Sequence, residues 1–332
     1  MRNPFVAYGR QFALVVILAI LMVILGRLSP YFLNLTNLLE LSTHLAEAGL
    51  IACGMTLVIM TGGIDLSVGS LLGLSGIVLG YTWERLGPAG AVSAAFATGL
   101  LGGVLNGSLV VLGKLPPLVV TLGTMALFRG IAMVISKAQP MSDFPDSFAF
   151  WGQGTWNVKG AEIPIQLIIW IAVVIVFVIL VDRTIMGRYL TAVGDNELAA
   201  RYAALPAKRV TFSAYLATGL LSALAAIIFT SRVSTAKADA GQNLELEVIT
   251  AVVLGGTAIT GGRGTVFGSF LGALILGFLR NGLSLARVPS VYQTITAGVL
   301  LIAVSILNER LLERAARRKP RHIAPTLEPV SQ

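Results

Sequence analysis

Residues 45–81 read LAEAGLIACGMTLVIMTGGIDLSVGSLLGLSGIVLGY. Two apolar runs, 45–61 and 64–81, meet at the pair Gly62-Gly63. Each run falls within the range of about 17 to 25 residues that a helix needs to cross the hydrocarbon core of a membrane. Because glycine pairs mark tight turns, the pattern predicts two membrane-spanning helices joined by a short connection.

Runs of this kind recur along almost the whole chain. They predict an all-α integral membrane protein with about ten transmembrane helices, over 11–28, 45–61, 64–81, 90–112, 117–136, 164–182, 211–231, 246–260, 264–280 and 291–308. The run 246–260 would rise only about 22 Å as a helix and contains Gly255-Gly256, so this span is predicted to be short or broken. We expect a single transmembrane domain over 1–332, with its spans between 11 and 308.

Composition excludes most soluble classes of protein. Of the 332 residues 55% are hydrophobic and only 12% are charged, and mean hydropathy is +0.83, whereas a soluble domain carries about a quarter charged residues. Cys53 is the only cysteine, and His44 and His322 lie far apart. We therefore predict no metal site, no catalytic residues and no enzymatic activity in this chain.

The distribution of charge predicts the orientation. Most Lys and Arg residues fall on the side that holds both termini in a ten-span arrangement, and cytoplasmic loops are enriched in these residues. Both termini and the loop 183–210 are therefore expected in the cytoplasm. The net charge is +8, and six Lys and Arg residues lie in the tail 309–332, which beside a membrane span favours contact with anionic lipid over nucleic acid.

An internal repeat links two parts of the chain. The stretch TGGIDLSVGS over 61–70 recurs as TGGRGTVFGS over 260–269, and both copies fall at predicted cytoplasmic turns. Related halves are common in transporters, where the substrate route lies between them. The repeat predicts a hinge or gate built from Thr61, Gly62, Gly63, Asp65, Gly69, Thr260, Gly261, Gly262, Arg263 and Gly268.

Two questions about this repeat stay open from sequence alone. Each glycine is by itself more typical of close helix packing than of substrate contact. Asp65 either forms an ion pair with Arg263 or caps the helix that follows it.

The loop 183–210 contains a short predicted helix. Asp195 or Asn196 can cap its start, the interior is rich in alanine, and Pro206 helps to end it. Such a helix could insert into a groove of a partner protein or lie on the membrane surface. The docking interpretation uses Asp195, Asn196, Glu197, Leu198, Arg201, Tyr202 and Leu205.

Together these residues resemble the ribose/galactose-type permeases of bacterial ABC importers, a family grouped with the branched-chain amino acid permeases. The resemblance rests on GMTLVIMTGGIDLSVGS over 54–70, TLGT over 121–124, the run 251–264 with Gly268, and AVGDNE over 192–197 followed by AAR over 199–201. The crowded polar run 231–241 is similar to the subgroup that takes rhamnose or autoinducer-2.

The resemblance implies an assembly in which this chain is the permease subunit. Its implied partners are a second permease of the same or a homologous chain, a cytoplasmic ATP-binding subunit, and a periplasmic or lipid-anchored sugar-binding protein. The implied location is the bacterial inner membrane. The chain has no Gly-x-x-x-x-Gly-Lys-Ser/Thr loop, so we expect it to bind no cofactor itself and expect ATP and Mg²⁺ on the partner subunit.

A neutral sugar needs hydrogen-bonding groups more than fixed charge. The candidates that the spans offer for the substrate path are Asn106, Thr121, Thr124, Asn281, Gln293, Thr294 and Thr296. The alternative function is an ion-coupled secondary transporter or a channel without an ATPase. Such proteins usually place ionisable residues in the middle of the membrane, and here only Arg129 fits that criterion well.

Overall fold

A computed structural model describes residues 4–142, 144–158 and 160–289, together with ten positions between 291 and 306. The helices are α1 (Pro4–Leu28), α2 (Leu35–Met60), α3 (Val68–Val111), α4 (Pro117–Ser136), α5 (Asp146–Gln153), α6 (Ile165–Arg183), α7 (Ile185–Asp195), α8 (Glu197–Tyr202), α9 (Ala207–Val233), α10 (Leu244–Leu254) and α11 (Val266–Leu285). Between α5 and α6, β1 (Thr155–Val158) and β2 (Ala161–Pro164) form an antiparallel hairpin in which Thr155 pairs with Pro164.

Within the described residues, seven helices are long and apolar enough to cross a membrane: α1, α2, α3, α4, α6, α9 and α11. The 44 residues of α3 would extend about 66 Å, roughly twice the hydrocarbon core. The helix bends at Gly87, which has φ 69° and ψ 176° and precedes Pro88. Its two arms contain the predicted spans 64–81 and 90–112.

Two of the predicted spans differ from the observed helices in an informative way. The second span begins ten residues earlier than predicted, at Leu35, because the side chain of Asn34 caps it by accepting a hydrogen bond from the amide of Thr36 (3.0 Å). The predicted span 246–260 is a helix only over Leu244–Leu254, which confirms a short or broken span. Of the predicted last span, 291–308, part lies outside the described residues, and the count of ten stays a prediction.

The helix α2 forms the centre of the bundle and is buried from Leu45 to Met60. Small residues permit the close helix crossings around it. Gly99 of α3 lies against the backbone of Gly219 in α9, and the ring of Trp170 from α6 covers Gly49. Because lipid supplies no hydrophobic drive between helices, such close packing is the main source of helix association in a membrane.

Candidate functional site: the repeated turns and the α8 loop

The first copy of the repeat forms a regular helix end. The amide of Gly62 donates to the carbonyl of Ile59 (2.9 Å), and the amide of Gly63 donates to the carbonyl of Val58 (3.0 Å). This is the Schellman pattern, which needs a left-handed residue, and Gly62 supplies it with φ 84°. Gly62 is therefore required by the way α2 ends.

The second copy begins after its helix has already ended. The helix α10 closes with the same Schellman pattern at Gly256, which has φ 87°, four residues before Thr260. Gly261 and Gly262 then adopt left-handed conformations in an irregular segment, with φ values of 89° and 74°. The two copies thus share glycine positions but not the helix that precedes them.

Both copies meet the loop that leads into α8. The amide of Gly262 donates to the carbonyl of Met60 at the end of α2 (2.9 Å). A Cβ atom on Gly194 would lie closer than 3.0 Å to both of these groups, and one on Gly261 would lie 3.0 Å from the carbonyl of Gly194 and from the amide of Gly62. We call Gly62, Gly194, Gly261 and Gly262 the glycine junction, where three backbone segments touch directly.

The helix α8 projects next to this junction. Asn196 caps it by accepting from the amide of Ala199 (2.9 Å), and Glu197 pairs with Arg201 (2.6 Å). Leu198 and Tyr202, one turn apart, are 66% and 91% exposed. They give α8 an apolar exposed face.

Three details of this loop differ from the predicted helix of about three turns. Asp195 ends α7 instead of capping α8, so α7 and α8 are separate helices. The helix α8 has only six residues, because Ala204 adopts a left-handed conformation (φ 56°) two residues before Pro206. Leu205 is half-buried and lies less exposed than Leu198 and Tyr202.

Asp65 is the centre of a buried polar network. Its Oδ1 accepts hydrogen bonds from the backbone amide (2.9 Å) and the hydroxyl (2.7 Å) of Ser67. The side-chain amide of Asn106 donates to Oδ2 of Asp65 (3.4 Å) and to the hydroxyl of Ser67 (2.8 Å). Arg263 is exposed, so the ion pair between Asp65 and Arg263 was wrong. Asp65 does not cap α3 either, because Ser67 directly precedes that helix and no side chain caps its start. The bond that Asp65 accepts from the amide of Ser67 instead forms a turn that leads into α3.

The predicted substrate-path residues have protein partners. Thr124 donates to Asn106 (2.7 Å), and Thr121 donates to the carbonyl of Ile64 (3.1 Å), so both join the buried network of Asp65. Asn281 and Asn37 exchange two hydrogen bonds, of 3.0 and 3.2 Å.

The last predicted path residues follow α11. Gln293 donates to the carbonyl of Val288 (2.8 Å), and Thr296 donates to that of Tyr292 (2.7 Å). Thr294 lies outside the described residues. Substrate contact by these positions stays a prediction.

Gly69 and Gly268, at matching positions of the repeat, contact the backbone at the two ends of α10. A Cβ atom on Gly69 would lie closer than 3.0 Å to the carbonyl of Gly241, which precedes α10, and one on Gly268 would lie as close to the carbonyl of Gly255, which ends it. The repeat therefore brackets the short helix with equivalent backbone contacts, and these glycines serve close packing.

Sequence reasoning missed Gly194 as a junction residue. Its only signal was its place directly before the predicted helix cap, which does not reveal contacts with residues more than 60 positions away. It also missed Tyr215, which is fully buried and has its hydroxyl beside Gly63.

The comparisons with known proteins agree with this architecture. A family model described as branched-chain amino acid transport system / permease component matches residues 37–305. The ribose import permease protein RbsC of Bacillus subtilis is 40% identical over 294 residues, which cover 88% of this chain and 91% of that protein. The same-named protein of Escherichia coli K12 is 39% identical over 88% and 92%.

A third relative spans the chain almost completely. The autoinducer 2 import system permease protein LsrD of Salmonella paratyphi B is 34% identical over 335 residues, which cover 97% of this chain and all of that protein. No solved structure shows a significant match.

Proposed function

The chain belongs to the ribose/galactose-type permease family of ABC importers, and from that membership we propose that it carries a small neutral sugar across the bacterial inner membrane. The relatives named above import ribose or autoinducer-2, both small and rich in hydroxyl groups, and this supports the sugar class. The individual sugar is left to experiment. Both termini and α8 are placed in the cytoplasm in this proposal, in agreement with the distribution of Lys and Arg.

The observation that carries the proposal is the exposed apolar face of α8 beside the glycine junction. Leu198 and Tyr202 suit a hydrophobic groove on an ATP-binding subunit, in the way that amphipathic helices dock. The subunit would bind ATP and Mg²⁺, and movement of α8 would reach both copies of the repeat through Gly194. A second permease and a periplasmic or lipid-anchored binding protein complete the proposed assembly.

Arg129 argues against the alternative of an ion-coupled transporter. Its guanidinium donates to the carbonyl of Ala240 (2.8 Å) and also to that of Ala238. Arg129 therefore satisfies backbone groups that hydrocarbon would leave unpaired, which is a structural role. Among the described residues, no group of three or more His, Cys, Asp or Glu side chains could hold a metal ion.

Uptake into right-side-out vesicles tests the proposal. The vesicles contain this chain with its ATP-binding subunit and sugar-binding protein, they are loaded with ATP, and labelled D-ribose, D-galactose or L-rhamnose is added outside. We expect ATP-dependent uptake of at least one sugar that a protonophore leaves unchanged. Uptake that needs no ATP and stops when the proton gradient collapses would support the ion-coupled alternative.

A further inference from the structure

The segment between α9 and α10 returns into the membrane domain as irregular backbone. The carbonyl of Gly241 lies against Gly69, near the start of α3, and Arg129 in the middle of α4 binds two other carbonyls of the segment. Irregular backbone at membrane depth is tolerated only where it is enclosed by protein or lines a water-filled cavity. In transporters, such interruptions of a spanning helix mark the binding site.

A cavity of about 380 Å³ opens beside this segment, between α2, α10 and α11. That volume lies near the lower end of the range of about 300–1,000 Å³ typical of small-molecule pockets. Its polar lining consists of Glu47, Gln242, Asn243, Glu247 and Arg280, and Phe229 is among its apolar neighbours. None of these residues is among the predicted substrate-path positions.

The charges around the cavity are balanced. Glu47 accepts two hydrogen bonds from the guanidinium of Arg232, of 2.8 and 3.1 Å, and Glu247 pairs with Arg280. Two acidic and two basic side chains therefore cancel. A cavity with this lining suits a neutral polar solute better than an ion of either sign.

Helix geometry places these charges toward the side of the bundle opposite the repeated turns. Glu47 lies 13 residues before the end of α2, and Arg280 lies 14 residues after the start of α11, so both are about 20 Å from the ends that carry the repeated turns. The hydrocarbon core is about 30 Å thick. Because the side chains of Arg280 and Glu247 are 42% and 27% exposed, and charged groups at this depth avoid lipid, the space beside them is accessible to water.

The amide side chains supply the groups that a sugar would need. Gln242 and Asn243 are exposed, and within the described part of the chain their side chains have no hydrogen-bond partner. Each amide offers two donor hydrogens and one acceptor oxygen, which match the mixed donor and acceptor character of hydroxyl groups. The ring of Phe229 can face the apolar side of a sugar ring.

We propose that this cavity is a binding site for the sugar during its passage, with Gln242 and Asn243 as its hydrogen-bonding residues and the Glu247–Arg280 pair at its edge. The proposal rests on the function proposed above and adds the location of the site. A neutral polyhydroxyl solute would exchange hydrogen bonds with water for bonds with these side chains, at a point where the spanning helix is interrupted.

Cysteine protection tests the site independently of transport rate. Cys53 is the only cysteine and is buried, so Gln242→Cys adds the one accessible thiol. The assembly is treated with a charged, membrane-impermeant methanethiosulfonate, with and without whichever of the three sugars the wild type transports. We expect the thiol to react and the sugar to slow its reaction at least fivefold. The control is Thr155→Cys in the hairpin of β1 and β2, which is exposed and does not line the cavity.

A second pair of variants uses uptake. Asn243 has φ 65°, so Asn243→Gly keeps the backbone conformation and removes the amide. We expect it to lower uptake at least tenfold, whereas Thr250→Val on the same helix keeps uptake within twofold of the wild type. Size-exclusion profiles identify any variant that fails to fold.

The outcomes separate the two proposals. If the wild-type assembly transports none of the sugars, the proposed function fails and the site fails with it. If the wild type transports a sugar but that sugar protects neither thiol, or protects both equally, the site alone is refuted. An unreactive thiol at 242 in a variant that still transports would show that the cavity excludes water, and that also refutes the site.

Discussion

Substitution of Gly194 by alanine is the sharpest test of the glycine junction. Gly194 is the second-last residue of α7 and has no left-handed conformation, so alanine can adopt its backbone angles. Helix propensity alone would favour alanine by about 1 kcal/mol. Any loss caused by Gly194→Ala must therefore come from contact with the neighbouring backbones.

The structure sets the size of that loss. The added methyl would lie closer than 3.0 Å to the carbonyl of Met60 and to the amide of Gly262, whereas ordinary contacts are 3.4–4 Å. Both neighbours are backbone, so neither can rotate away. Overpacking of this kind costs about 1–3 kcal/mol. If movement of α8 presses these backbones together in its transition state, a clash of that size made only there slows the step about 5- to 150-fold.

The assay is ATP-driven sugar uptake by the complete assembly, together with copurification of the ATP-binding subunit. We expect the rate of uptake by Gly194→Ala to be about 5- to 150-fold lower than that of the wild type. The ATP-binding subunit should still copurify, because Leu198 and Tyr202 are unchanged. The control is Gly130→Ala in α4, where an added Cβ meets nothing within 4 Å and uptake should be normal. Wild-type uptake by both variants would refute a role for the junction in transmission.

Three further changes test other parts of the molecule. Combined Leu198→Glu and Tyr202→Glu should abolish copurification of the ATP-binding subunit without loss of folding, because both side chains are exposed, and a retained subunit would contradict docking through this face. Arg232→Gln leaves Glu47 buried without its partner and should lower the free energy of unfolding by about 3–5 kcal/mol, measured by thermal or denaturant unfolding. The double variant that also carries Glu47→Gln should regain most of that loss, and a double variant no more stable than Arg232→Gln alone would contradict the pairing. Asp65→Asn keeps the oxygen that accepts from the amide of Ser67 and should be nearly as stable as the wild type. Asp65→Leu removes that oxygen and should lower the free energy of unfolding by about 1–3 kcal/mol in the same measurement. Equal stability of these two variants would contradict the turn.

Apolar run length predicted most of the spanning helices, because burial in hydrocarbon leaves a compositional signal in every segment. It did not predict the start of α2. Residues 35–44 include Thr36, Asn37 and His44, and their polarity hides a helix that packs against protein. The bend at Gly87-Pro88 was visible in the sequence as a break between two runs, and in the structure Gly87 is non-helical and separates the two arms of α3.

The site was harder to predict because its contacts join distant segments. The repeat predicted that 61–63 and 260–262 are equivalent, and the structure adds that they touch each other and Gly194. Residue type led to the choice of Asn106 and Thr124 for the substrate path, yet in the structure Asn106 donates to Asp65 and Thr124 donates to Asn106. The amides of 242–243 had no such signal, because they follow the crowded polar run 231–241 in a segment that the sequence placed in an outer loop.

The short helix α10 connects the two features for which function is proposed. One of its ends meets the cavity at Asn243 and Glu247, and the other leads through Gly255 to the junction at 261–262. Its 11 residues span about 16 Å. Because Gly69 and Gly268 contact the backbone at both ends, a shift of one copy of the repeat relative to the other must tilt α10 or break one of these contacts. We therefore expect movement at α8 to tilt α10 and so to change the shape of the cavity. A full-length helix in the place of α10, in contact with lipid along its whole length, would resist this tilt.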